Sequence, residues 1–236
     1  MRAHLSGRQR AIRIALMSML LPISLWLGGC AAPPKPAGPS AFQLARPASI
    51  LVLPPINDSP DVNATPSVLA QASLPLGEAG YYVMPVGVMM ETFRQNGLSN
   101  PPDVHEVSTK KLREIFGADA ALYLKVTQYG AKYTVLHAEV RVTAHARLVD
   151  LRSGQTLWTG AATASNDEGQ NNNSGGLIGA LVGSLVKQIV NSVGDSGHPV
   201  AGVMANRLLR AGRPGGIIWG PRSPYHGKDG EEPWRR

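Results

Sequence analysis

The chain has a single cysteine, Cys30, and its surroundings point to one chemical role for its thiol. The first thirteen residues carry four arginines and no acidic residue. An apolar run from Ala11 to Leu27 follows, and Gly28 and Gly29 separate this run from the cysteine. A basic start, a short apolar middle and a small-residue exit are typical of a secretory signal peptide. A lone thiol offers no intramolecular disulfide, even in an oxidising compartment.

The segment Leu27-Gly28-Gly29-Cys30 resembles the lipobox of bacterial lipoprotein signals, which has an aliphatic residue, two small residues and then cysteine. The resemblance implies cleavage between Gly29 and Cys30, diacylglycerol on the sulfur and an acyl chain on the new amino group. Two chains hold a protein stably on a membrane, since each buried methylene contributes about 0.8 kcal/mol. Ala31 replaces the aspartate of inner-membrane lipoproteins, so resemblance to enterobacterial lipoproteins implies the outer membrane, with the domain facing periplasm or cell surface.

Two alternatives for this segment stay open. The cysteine is incidental to an ordinary signal peptide, or the apolar run is a transmembrane anchor. Pro22 and Ser24 interrupt the run, whereas a membrane span needs about 20 apolar residues. The residues therefore favour the lipoprotein interpretation.

Asp119 and Asp150 are the next candidates for chemistry, as catalytic carboxylates. Asp119 lies between a predicted helix end and a predicted strand start, and Asp150 opens a predicted turn. Aspartate at such positions commonly accepts hydrogen bonds from turn backbone. Both residues are therefore interpreted as turn-stabilising.

The histidines have no metal-ligand spacing. His137 and His145 share one strand face, but eight strand residues separate them by roughly 26 Å. His105, His198 and His226 lie in separate predicted loops or tails. The chain also lacks a Gly-x-Ser-x-Gly elbow and a glycine-rich phosphate loop. We therefore predict no catalytic residue, no metal and no cofactor other than the covalent lipid; a hydrolase with a dispersed site remains as an alternative.

The pattern of elements predicts an α/β fold. Strands at 49–53, 81–84 and 120–127 alternate with helices at 66–79, 87–95 and 109–116, and a last helix covers 200–211. Residues 136–148 alternate strictly between apolar and polar, which predicts a long strand that returns through a turn as 155–164. We expect a single domain of two or three layers, with a mixed sheet ending in this antiparallel hairpin plus carboxy-terminal helices.

The predicted domain boundaries follow composition. Residues 1–29 form the signal peptide, 30–47 a proline-rich extended tether, 48–211 the α/β domain, and 212–236 a basic Gly/Pro-rich tail that is irregular or disordered. The tether reaches at most roughly 55–60 Å. Within the domain, the Pro101-Pro102 segment is expected to be a loop, and Pro75 is expected to bend or interrupt its helix.

Candidate interaction residues lie on two elements. Glu139 and Arg141 lie on the face of the long strand that is predicted to be exposed to solvent. Gly179 and Gly183 lie on one face of a predicted helix over 177–193, which also contains Lys187. The small face suits close helix packing, or alternatively a self-association seam or transient membrane contact. Lys187 and Gln188 make a true span of this helix unfavourable.

Charge argues against nucleic acid as a partner. The signal peptide contains four of the 23 basic residues and no acidic one, which leaves 19 basic and 16 acidic side chains. The segment from Asn206 to Arg236 contributes seven basic and three acidic residues. The remainder is almost neutral, so the high isoelectric point reflects the export signal and the tail.

Two stretches resemble known families. Leu112–Tyr129, with its Gly-Ala-Asp helix exit, and the strand–turn–strand of Val140–Trp158 resemble CsgG-like and TolB amino-terminal domains. More closely, 50–160 resembles the DUF799 lipoprotein family in Leu53-Pro54-Pro55-Ile56-Asn57, Ala64-Thr65-Pro66-Ser67-Val68 and Gly80-Tyr81-Tyr82-Val83-Met84-Pro85-Val86.

These resemblances imply a non-catalytic accessory in envelope assembly or secretion. The implied partners are the membrane, through the lipid, and a CsgG-like lipoprotein or a second copy of the chain. A regulator of peptidoglycan synthesis is the alternative, as for lipoprotein activators with a related fold.

Overall fold

The computed structural model describes residues 39–133, 138–167 and 195–229, which belong to one compact unit that begins at Pro39. The elements in chain order are α1 (Ala41–Ala45), β1 (Ser49–Val52), β2 (Ile56–Asn57), α2 (Ala64–Glu78), β3 (Tyr82–Val83), α3 (Val86–Gln95), α4 (Pro101–His105), α5 (Thr109–Phe116), β4 (Ala120–Gln128), β5 (Ala131–Tyr133), β6 (Ala138–Asp150), β7 (Thr156–Ser165) and α6 (Gly197–Leu209). In this part of the chain no helix is long and apolar enough to cross a bilayer.

The sheet is mixed, as predicted. Strands β3, β1 and β4 are parallel, and the short β2 also pairs in parallel with the far end of β4. Strand β6 is antiparallel to β4, β5 and β7. The long hairpin β6–β7 therefore closes the sheet on one side, which confirms the fold class.

Helices cover both faces of the central sheet. Helix α6 packs on β6 and β7 and against α2, while His105 of α4 meets the ring of Tyr123 on β4 edge-on, with 5.1 Å between ring centroids. On β6 the side chains of Val140, Val142 and Leu148 are buried, whereas His145 is exposed. Apolar residues thus face α6 and polar residues face outward, as the period of two predicts.

Local sequence explains where most helices begin and end. The Ser108 hydroxyl accepts a hydrogen bond from the Lys111 backbone at the start of α5, and Gly117 ends that helix with φ +65°. The expected loop at Pro101-Pro102 is wrong: these prolines open α4, because proline fits the first turn of a helix. Pro75 lies inside α2, which continues to Glu78 without interruption.

The predicted extended tether is wrong in its last part. Ser40 and Gln43 form a capping box that starts α1, and Phe42 is buried in the core. Helix α1 lies beside β7. The folded unit thus begins at Pro39, nine residues earlier than the boundary predicted at 48.

The tail prediction also needs correction. Residues 211–229, which we call the C-terminal strap, contain little regular structure but pack against the domain, with Ile217 and Trp219 in the core. The Gly220 backbone donates to the carbonyl of Ala79, and the Tyr81 hydroxyl donates to the carbonyl of Ile218. Apolar side chains hold the strap although its glycines and prolines exclude helix and strand.

Asp119 ties three segments together rather than stabilising one local turn. Its Oδ2 accepts hydrogen bonds from the backbone of Ala48 and from the backbone and hydroxyl of Ser49. Its Oδ1 lies 2.7 Å from Nη2 of Arg152 in the β6–β7 turn. Burial opposes ionisation of Asp119, but these donors outweigh it and hold the pKa of the carboxyl below its usual range.

Replacing Asp119 with asparagine is expected to lower the free energy of unfolding by about 2 kcal/mol at neutral pH, because hydrogen bonds to a charged group contribute roughly 1.5–3 kcal/mol. Since the folded-state pKa is depressed, the contribution is present above the unfolded pKa, near 3.9, and is lost as the pH falls through the folded value. Urea unfolding should show a difference in the free energy of unfolding between wild type and Asp119→Asn, and this difference should become smaller only below about pH 4. Glu78→Gln, an exposed change, is the control, and a pH-independent gap would contradict the assignment.

Candidate functional site

The predicted interaction residues on β6 are paired with each other. Nη2 of Arg141 lies 2.6 Å from Oε1 of Glu139, and its Nε donates to the same oxygen over 2.8 Å. Both side chains project from the outer face of the hairpin and are partly exposed. Gly179, Gly183 and Lys187 lie outside the described residues, as do Gly29 and Cys30.

The outer face of the β6–β7 hairpin is an open polar surface. Arg147 and His145 on β6 are exposed, and they stand opposite Thr159 and Ala161 on β7, which are exposed as well. We call these four residues the hairpin surface. In the described ranges, the residues of β7 pair with β6 alone. A strip with small side chains on its outer strand leaves room for a partner to approach the sheet closely.

Tyr123, on β4, borders the hairpin surface. The guanidinium carbon of Arg147 lies 4.7 Å from the centroid of the Tyr123 ring, within the range of a cation–π contact. Burial raises the pKa of the Tyr123 hydroxyl. Arg147 is therefore oriented along the sheet and presents a positive charge at its outer face.

A second group of side chains forms a polar network in which Ser67 and Tyr129 are buried and the remaining members reach the surface; it is made of Ser67, Gln71, Tyr129, Asp195 and His198. The Ser67 hydroxyl lies 2.7 Å from Nδ1 of His198, and Nε2 of the same ring lies 2.9 Å from the Gln71 amide nitrogen. The Tyr129 hydroxyl donates to Asp195. Because a serine beside a histidine suggests a nucleophile and its base, the direction of these hydrogen bonds decides what the network can do.

The placement of the Gln71 amide assigns a direction to these hydrogen bonds. Its nitrogen faces Nε2 of His198 and can only donate, which assigns the ring proton to Nδ1 and makes Ser67 the acceptor. Burial, followed by the hydrogen bond to Asp195, raises the pKa of Tyr129, which keeps its hydroxyl a donor. The network joins α2, the end of β4 and the start of α6.

Sequence reasoning missed this network, although part of its signal is visible. Ser67 and Gln71 are four residues apart and therefore share one face of α2, while Asp195 and His198 flank the start of α6. Gly197 is required there, because a Cβ at this position would lie 2.4 Å from the Tyr129 ring. Only the packing of α6 on α2 brings the two pairs together.

The two aspartates behave as structural residues. Oδ1 of Asp150 accepts hydrogen bonds from the backbone of Arg152 and from the backbone and hydroxyl of Ser153, which confirms its turn interpretation. Asp119 has the wider role described above. The carboxylates are thus occupied by donors from the chain itself.

The histidines stay separate. His105 contacts the carbonyl of Pro54, and burial lowers its pKa. His226 contacts Arg46 and the carbonyl of Trp219, and His137 lies outside the described residues. Within the described ranges, no group of three or more potential ligands has the geometry for a metal ion.

A groove of about 330 Å³ separates α1 from β7 and the strap. Its walls include Phe42, Leu157, Trp158 and Ile217, so it is mostly apolar. Asp229 borders the groove, but its Oδ1 accepts a hydrogen bond from the Trp219 backbone. The groove therefore lacks the convergent titratable groups of a hydrolase site.

Comparison with known proteins agrees with this architecture. Residues 38–222 match the family described as "Putative lipoprotein GNA1162-like". The protein "Putative lipoprotein NMB1124/NMB1162" of Neisseria meningitidis serogroup B (strain ATCC BAA-335 / MC58) is 51% identical over 183 residues, or 78% of this chain and 84% of that protein. The crystal structure of lipoprotein GNA1162 from Neisseria meningitidis is 54% identical, covers 62% of this chain and 100% of that one, and gives a TM-score of 0.50.

More distant resemblance extends to the PelC dodecamer from Paraburkholderia phytofirmans, with 17% identity, 72% of this chain and 90% of that chain covered, and a TM-score of 0.40. The family match spans most of the chain, and the meningococcal relative is identical at half of the aligned positions. The resemblance to a lipoprotein family is thereby confirmed, and this chain belongs to the GNA1162-like lipoprotein family.

Proposed function

We propose that the chain is anchored in the outer membrane by acyl chains on Cys30 and acts there as a non-catalytic accessory in envelope assembly or secretion. Its hairpin surface binds a CsgG-like lipoprotein or a second copy of the chain. The observation that carries the proposal is the open outer face of β6–β7, whose other face is buried under α6. Membership of a lipoprotein family supports the anchor.

The non-catalytic part of the proposal rests on how the polar groups are bonded. With Gln71 donating to Nε2 of His198, Ser67 accepts a hydrogen bond from Nδ1 of the same ring, and Asp119 and Asp150 accept hydrogen bonds from donors of the chain itself. A hydrolase needs a nucleophile with a free base beside it. Binding through a surface needs no such group.

Regulation of peptidoglycan synthesis is less well supported. A regulator anchored at the outer membrane has to reach the cell wall through its tether. Since the folded unit begins at Pro39, the tether after Cys30 has eight residues and reaches at most about 30 Å. This is about half of the reach expected for a tether that ends at Pro47.

In-cell photo-crosslinking tests the hairpin surface. A photoreactive amino acid at His145 or Thr159 is expected to give adducts with a CsgG-like lipoprotein or with a second copy, since both positions are exposed on that face. Glu114, which is exposed on α5, serves as the control position and should give no such adduct. Adducts to a cell-wall synthase would support the alternative, and equal labelling at all three positions would contradict the proposed surface.

A further inference from the structure

The chain enters the folded domain at one end of the sheet. Strands β1, β3 and β4 all begin at this end, because Ser49 pairs with Tyr82 and Ile50 pairs with Ala120. Helix α1 directly precedes β1, and Tyr82 donates its backbone N–H to the carbonyl of Ala48. The first described residues and the start of the sheet therefore share one end of the domain, which we call the tether end.

Exposed apolar and basic side chains meet at the tether end. Leu44 of α1 is 71% exposed, and Arg46 follows two residues later. Nη1 of Arg46 lies 3.5 Å from the ring of His226 in the strap, and the guanidinium carbon of Arg222 lies 5.6 Å from the centroid of the Tyr82 ring. Tyr225, also exposed, precedes His226. Arg46 thus lies beside the segment of Tyr225 and His226, and Leu44 lies at the same end beside Asp150 and Gln155 of the β6–β7 turn. We call the exposed residues of this end the tether-end surface: Leu44, Arg46, Tyr82, Arg222 and Tyr225.

Charged side chains at both ends of the sheet are mostly paired within the chain. At the tether end Asp119 is paired with Arg152 and lies 3.7 Å from Arg113, and exposed Glu78 ends α2. At the opposite end Nζ of Lys125 lies 2.8 Å from Oδ2 of Asp58. Arg46 and Arg222 are exposed and lie against aromatic rings, so they supply the positive charge of the tether-end surface.

These features match an anionic bilayer. Tyrosine side chains favour the level of the lipid headgroups, and exposed leucine inserts at the boundary between headgroups and acyl chains. Arginine extends its aliphatic stem along apolar surface while its charge contacts phosphate. Attraction to a charged membrane falls off within about one Debye length, roughly 8 Å at physiological salt. A tether of eight residues reaches at most about 30 Å, so it permits contact between this end of the domain and the bilayer, and the side chains must supply the attraction.

We propose that the domain rests on the bilayer through its tether-end surface, with Leu44, Tyr82 and Tyr225 among the headgroups and Arg46 and Arg222 on phosphates of anionic phospholipid. This inference depends on the anchor at Cys30 proposed above. It orients the molecule: the opposite end of the sheet, with the polar network of Ser67 and His198 nearby, points away from the membrane, and the hairpin surface lies along the side of the domain.

A fluorescent probe at position 44 tests this orientation. The acylated chain is reconstituted into vesicles of phosphatidylethanolamine and phosphatidylglycerol; because Cys30 is the only native cysteine and its thiol is acylated, Leu44→Cys can be labelled with an environment-sensitive fluorophore. We expect a blue-shifted emission and several-fold stronger quenching by a lipid-borne quencher than for Val62→Cys. Val62 is 84% exposed and lies between β2 and α2, at the opposite end.

The charge contribution has its own readout in the same vesicles. The quenching at position 44 should fall when phosphatidylcholine replaces phosphatidylglycerol, and also when Arg46→Ser and Arg222→Ser are combined. Flotation of each sample separates the two proposals. A protein that does not float with the vesicles contradicts the anchor, whereas a floating protein whose probe at position 44 stays as water-exposed as that at position 62 contradicts the resting surface alone.

Discussion

Cys30→Ser is expected to abolish fatty-acid labelling of this protein in cells and to remove it from the outer-membrane fraction. The sulfur of Cys30 is the atom that carries diacylglycerol in the proposed anchor, and serine offers no thioether. Two acyl chains give stable attachment, whereas a chain without them keeps only weak surface contacts. Growth with a clickable fatty acid, followed by membrane fractionation and mass spectrometry of the mature amino terminus, measures both effects.

Two changes at Ala31 serve as matched controls. Ala31→Ser leaves the cysteine and the preceding small residues in place, so labelling and location should both match the wild type. Ala31→Asp should keep the label but move the protein to the inner membrane, according to the enterobacterial sorting rule. Label that persists in Cys30→Ser would show that the acylated atom lies elsewhere.

Gly80→Ala is expected to destabilise the fold by at least about 3 kcal/mol, the second of the large effects. Gly80 has φ +92°, where an L-residue pays roughly 1–2 kcal/mol. In addition, a Cβ here would lie 2.4 Å from the backbone nitrogen of Ser223. Because that atom belongs to the strap backbone, relief requires the strap to move, and the hydrogen bonds of Gly220 and Arg222 to Ala79 and Gly80 would be lost.

Gly97→Ala separates the two contributions. Gly97 also has positive φ, +77°, but a Cβ there meets no atom within 4 Å. This control should therefore lose only the conformational part, about 1–2 kcal/mol. Urea unfolding of both variants, with near-UV circular dichroism of Trp219 and its neighbours, gives the comparison. Equal losses of unfolding free energy in the two variants would contradict a steric contribution from the strap at Gly80.

The fold was predictable where the pattern is local. The alternation in β6 places Val140, Val142 and Leu148 inside, and Ser108 and Gly117 mark the ends of α5, since periodicity and capping depend on residues close in sequence. The family resemblance, drawn from short motifs, is confirmed by the match over residues 38–222.

The errors share a physical cause. Proline and glycine at both ends of the domain predicted extended or irregular chain, but composition does not say whether an irregular segment is packed. Both segments are packed because each contributes an aromatic side chain to the core, Phe42 at the amino-terminal end and Trp219 at the carboxy-terminal end. The core residues around them come from distant parts of the sequence. The polar network is equally non-local, because Ser67 and His198 are 131 residues apart.

The strap also determines when the domain can finish folding. The Tyr81 hydroxyl donates a hydrogen bond to the carbonyl of Ile218, 137 residues further along the chain. Gly80 packs so closely against Ser223 that no side chain fits between them. Contacts so distant along the chain form late and slowly, because a long loop must close before they stabilise anything. The core around Tyr81 and Gly80 therefore closes only after the strap residues 217–223 have been synthesised and have docked. Until then the start of β3 lacks its partner, so the strap makes completion of this core a late step in folding.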